Sequence, residues 1–88
     1  MAEYIHRFTV PVWSLLTGAT YEARAIGESR RDGTWAGWLE FRPASGYGPA
    51  LRTHRETTQP DREALVYWAG GLEPIDLESA LSRAHPSY

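Results

Sequence analysis

Three residues, Arg31-Asp32-Gly33, constrain this chain more than any others. Asp-Gly between two runs rich in β-branched and aromatic residues signals a hairpin. It closes either as a two-residue type I′ turn or as a three-residue turn with a glycine bulge. The two closures differ by one residue of register, and a slip of one residue sends every side chain to the opposite face. The flanks, Thr20 to Arg30 and Thr34 to Arg42, therefore discriminate between them. The two-residue loop sets Ala25 against Glu40 and Arg24 against Phe41, and both faces come out mixed. The three-residue loop sets Ala25 against Leu39 and Ala23 against Phe41 on one face. On the other it sets Ile26 against Trp38, Arg24 against Glu40 and Glu22 against Arg42. That arrangement sorts the chemistry into one apolar face and one face carrying two cross-strand ion pairs, so the three-residue loop is predicted.

The rest of the chain is read around this hairpin. Tyr4 to Trp13 alternates, with Tyr4, His6, Phe8, Val10 and Val12 on the core side, and Pro11 confines the strand to an edge. Leu15 to Gly18 reads as a turn, and Pro43 to Pro49 as a loop. Ala50 to Thr57 alternates as a fourth strand, with Arg52, His54 and Glu56 on one face. The period then becomes helical. Thr58 reads as the cap with Asp61 three residues later, Pro60 lies in the first turn, and Leu65, Trp68, Ala69 and Leu72 recur at helical spacing. Gly70-Gly71 reads as a left-handed stop to this helix, spanning about residues 59–70. Glu73 to Asp76 suits a brief edge strand, and Asp76 the cap of a last helix striped by Leu77, Ala80, Leu81 and Ala84. The expected fold is α+β: one domain, 1–88, with an antiparallel meander of about four strands and one or two C-terminal helices packed on its apolar face. A partly open SH3-like small barrel is the alternative.

Composition narrows the function classes. The 88 residues include no Cys, which excludes a disulfide framework and thiolate chemistry and favours a reducing, cytoplasmic setting. No apolar leader precedes Phe8, and no run is long enough to span a bilayer. All nine basic residues are Arg and the net charge is −2, which disfavours bulk attraction to nucleic acid or to anionic membrane. The balance is uneven: residues 1–59 hold seven Arg against six acids, and the remainder two Arg against five.

Chemical motifs are few. His6, His54 and His85 are scattered, without helical spacing or Cys neighbours, so neither a metal nor another cofactor is expected. His6 on the core side reads as a structural histidine. Ser45-Gly46-Tyr47-Gly48-Pro49 contains G-x-G without the strand-to-helix context of a phosphate loop. The densest reactive cluster is Arg52-Thr53-His54-Arg55-Glu56, where a His beside a carboxylate suits a general base and Arg an anion site. A solvated strand face accounts for it more simply.

The segments Thr57 to Leu65, Tyr67-Trp68-Ala69 and Gly71-Leu72-Glu73, with the strand Gly37-Trp38-Leu39-Glu40-Phe41, carry a resemblance. They resemble runs in small bacterial proteins without an established activity, over about Tyr21 to Ala84, and the resemblance implies no catalytic residue. The function expected is therefore a non-catalytic binding or regulatory module acting through the outer face of the sheet. Trp38, Ile26, Arg24, Arg52 and His54 are its candidate binding residues. Ile26 and Trp38 are expected to stand open there as an apolar patch for a protein partner or a second copy. Single-stranded nucleic-acid binding by the same Trp/Arg face and a small enzyme using His54 and Glu56 are the competing classes.

Overall fold

The hairpin forms as its two flanks demand. In the computed structural model, which describes residues 1–87, β3 (Thr20–Ser29) and β4 (Trp35–Pro43) pair without interruption from Tyr21↔Pro43 to Ser29↔Trp35. Ala25 lies opposite Leu39, and Arg24 opposite Glu40. Gly33 takes a positive φ of 87°, the conformation glycine adopts without steric cost, and the Gly33 N–H donates to the Arg30 carbonyl at 3.0 Å. Asp32 accepts from the Thr34 backbone N–H at 2.9 Å and from its hydroxyl at 2.6 Å. These bonds hold the Asp32 carboxyl below its ordinary value.

Both neighbours of the hairpin are broken where simple alternation predicts continuous strands. The first segment divides into β1 (Glu3–Arg7) and β2 (Val12–Trp13), each paired with β3. A bulge lies between Tyr4 and His6, because Tyr4 faces Ile26 while His6 faces the adjacent Ala25. Tyr4 therefore belongs to the outer face, and Ile5 packs inward against the core. His6 remains inward and half-buried, edge-on to Phe8 at 4.6 Å. The fourth strand divides into β5 (Leu51–Arg52) and β6 (Thr57–Gln59), both along β4. From Arg52↔Glu40 to Thr57↔Gly37, five steps along one strand match three along the other, so two residues loop out. Buried Thr53 supports the break: its hydroxyl accepts from the Leu39 N–H at 3.1 Å, and its own N–H donates to the Leu39 carbonyl at 2.9 Å.

Two helices follow. α1 (Arg62–Gly70) is capped by Asp61, which accepts from the Ala64 N–H at 2.8 Å. Thr58 is not the cap, because the β4 ladder holds it in β6. Nor is the stop left-handed: Gly71 has φ −89° and turns directly toward the next helix. α2 (Pro74–Arg83) absorbs the expected edge strand at Glu73 to Asp76, and its cap is Glu73 rather than Asp76, which lies in the first turn and accepts from the Glu73 N–H at 2.9 Å. The additional strand is instead β7 (His85–Pro86), paired with β5. The sheet runs β1-β3-β4-β5-β7, with β2 also on β3 and β6 also on β4, and it stays open rather than closing into a barrel.

Both helices cover one face. Ala23, Ala25, Leu39 and Phe41 meet Ala69, Leu77, Ala80 and Leu81 there. Leu65 of α1 packs directly onto the Gly27↔Gly37 pair, where a Cβ on Gly37 would lie 2.5 Å from Leu65 Cδ1 and one on Gly27 would also collide with Leu65. Leu65 is thus seated on two facing glycines. The fold is the expected α+β one: an antiparallel sheet with two helices on one face. No helix among the described residues is long and apolar enough to cross a membrane.

Candidate functional site

The other face of the hairpin has no helix over it, and strand register determines what it presents. One cross-strand row contains Arg7, Arg24, Glu40, Arg52 and His85. The adjacent row contains Tyr4, Ile26 and Trp38. Among the sequence-predicted site residues, Ile26, Trp38, Arg24 and Arg52 therefore share one face.

The state of the apolar pair is a correction. Ile26 and Trp38 are expected to stand open, yet they are only 6% and 8% exposed. Side chains of their own face take the place of a covering helix. The Arg52 guanidinium lies over the Trp38 ring at 4.5 Å from its centroid, while its Nε donates to the Thr53 carbonyl at 3.2 Å. The Arg24 guanidinium lies over the Tyr4 ring at 4.9 Å and donates to the Tyr4 hydroxyl at 3.0 Å. Arginine can do this because its stem is apolar and its planar head stacks on aromatic rings.

The two expected ion pairs are rearranged as well. Arg24 and Glu40 face each other in the ladder, but Glu40 accepts from Arg42 Nε, its neighbour two residues along the same strand, at 3.2 Å. Glu22 pairs with Arg7 of β1 at 3.6 Å rather than with Arg42. Arg24 and Arg52 are consequently left without a carboxylate partner within 4 Å among the described residues. They flank β4 on either side, two strand spacings or ~9.5 Å apart at the backbone.

His54 falls in the two-residue break rather than on the regular face. It is exposed and packs against His85 at 4.6 Å between ring centroids. Glu56 accepts from Arg83, the last residue of α2, at 2.6 Å. The alternation that would line up Arg52, His54 and Glu56 is thus interrupted, and Glu56 is engaged away from His54. No cluster of metal-ligating residues occurs among the described residues. The participants missed by sequence reasoning are Tyr4, hidden by a bulge without a sequence signature, and the exposed side chains of Val10, Trp13, Leu15 and Leu16 on either side of buried Val12. The two adjacent leucines in a turn were the available signal for these side chains.

No family model, no curated protein and no solved structure matches this chain.

Proposed function

We propose that this chain is a non-catalytic, cytoplasmic binding module whose outer sheet face receives an acidic segment of a protein partner on Arg24 and Arg52. One observation carries the reading: two guanidinium groups are held against aromatic rings, in one plane of the sheet, without carboxylate partners among the described residues. An arginine stacked in this way has lost part of its rotamer freedom before binding, so its remaining N–H donors form carboxylate contacts at lower entropic cost. Ile26 and Trp38 act as the platform beneath these cations. Trp38 lies under Arg52 and offers no open ring for base stacking, which favours a carboxylate ligand over single-stranded nucleic acid. His54 on an open surface and Glu56 held by Arg83 favour binding over general-base chemistry.

The test is fluorescence anisotropy with a labelled ten-residue poly-glutamate peptide and a labelled oligo-deoxythymidine, each at about 50 mM salt. The expected result is salt-sensitive binding of the peptide, weakened at least tenfold by Arg24→Gln with Arg52→Gln. Unchanged peptide binding in that variant overturns the reading, and so does tighter binding of the oligonucleotide.

A further inference from the structure

The most exposed group of apolar side chains lies at the end of the sheet where β2 leads into the turn before β3. Ser14 starts this turn: its carbonyl accepts from the Gly18 N–H at 2.8 Å, and its N–H donates to the Ala19 carbonyl at 2.9 Å. Gly18, at φ 76°, completes the reversal. The backbone is thus well bonded, yet it holds its largest side chains out in solvent. Leu15 and Leu16 are 87% and 92% exposed, and nearby Trp13 and Val10 are 56% and 54% exposed.

Two concavities adjoin these side chains. A cleft of about 500 Å³ opens on the outer side of the sheet, where the chain leaves β3 between β1 and β2, walled by Phe8, Val10, Pro11 and Trp13 with Arg7 and Glu22 beside them. A groove of about 220 Å³ lies between the turn and α2, with Tyr21, Leu51 and Leu81 in its lining and Leu15 and Leu16 at its margin. One end of the molecule therefore carries both apolar projections and apolar hollows.

We propose that this end is a self-association surface, on which the Leu15-Leu16 turn of one copy packs into the apolar hollows of a second. A two-fold contact uses the same patch on both copies, so it requires a patch that is complementary to itself. Projections and grooves a few residues apart meet that requirement. The area also fits. Four large apolar side chains at these exposures leave on the order of 500 Å² open, the upper end of what a monomer shows. Two copies would cover about 1,000 Å² in total, where specific but weak interfaces begin. Charge opposes the contact only weakly: Arg7 at the cleft is paired with Glu22 at 3.6 Å, and Glu78 is the single charged residue in the groove lining. The same lack of free positive charge speaks against an anionic lipid surface as the occupant.

Sedimentation velocity across a protein concentration series tests the proposal. The expected result is a monomer–dimer equilibrium with a midpoint on the order of 10–100 µM. Leu15→Ser with Leu16→Ser should shift that midpoint at least tenfold upward at an unchanged melting temperature, since neither side chain is packed. Dilution of the wild type should move the Trp13 indole resonance in the same concentration range. A wild type that stays monomeric at about 1 mM overturns the proposal, as does a double-serine variant that dimerises equally well. Co-sedimentation of monomeric protein with phosphatidylcholine/phosphatidylserine vesicles, lost in the double-serine variant, would overturn it in favour of a membrane. Arg24→Gln with Arg52→Gln should leave the dimer midpoint unchanged, so the outcome is independent of the acidic-segment reading.

Discussion

The two faces of the central hairpin reach similar burial by opposite means. On the inner face, Ala23, Ala25, Leu39 and Phe41 lie beneath two helices, and apolar groups contact apolar groups. On the outer face, Ile26 and Trp38 are almost equally buried, yet their cover includes the guanidinium of Arg52 and the neighbouring Tyr4–Arg24 stack. A helix cannot be lifted from the inner face without exposing the core. An arginine can swing off a ring at the cost of one cation–π contact, about 0.5–2 kcal/mol. The inner face is therefore closed by other elements of the fold, and the outer face by its own side chains.

This contrast can be broken at several points. The largest effect is expected at Leu65→Ala. It should cost about 2–5 kcal/mol, toward the upper end, because Gly27 and Gly37 have no side chains to refill the space. Adding Gly37→Ala to that variant should restore part of the loss, read as a higher urea midpoint. If it does not, Leu65 is not seated on the glycine pair as described. Next is Trp38→Ala, expected to cost about 3 kcal/mol, in the range for buried aromatics. A melting temperature equal to wild type would mean that the outer face holds no second core.

Smaller still, Arg52→Gln should lower stability by about 0.5–1 kcal/mol while opening the Trp38 ring. Acrylamide quenching in a background lacking the other tryptophans should increase; unchanged quenching would show that something besides Arg52 shields the ring. The smallest effect concerns Asp32. Its folded-state value is depressed by the Thr34 side-chain and backbone hydrogen bonds, so its contribution is present above the ordinary value of 3.8 and is lost as pH falls through the lower folded value. Amide exchange at the hairpin tip should accelerate relative to the rest of the sheet below about pH 3.8, and Asp32→Asn should abolish that difference.

Local chemistry was sufficient for the hairpin and the helix stripes. Between Thr20 and Pro43, every pairing follows from one turn and from the sorting of two faces, because a register error would have mixed charge with core at many positions at once. The stripe of Leu65, Trp68, Ala69 and Leu72 likewise contained its own period. Tertiary structure decided the rest. The bulge at Ile5 and the two-residue break after Thr53 depend on what β3, β4 and the helices need from the strands beside them, and alternation in a single segment carries no record of that need. The same applies to the site. The sequence determined that Ile26, Trp38 and Arg24 share a face. Whether that face would be open or covered depended on where Arg52 and Tyr4 arrived from other strands. A long arginine can lie on a ring or extend into water at little difference in energy, and only the assembled sheet tips that balance.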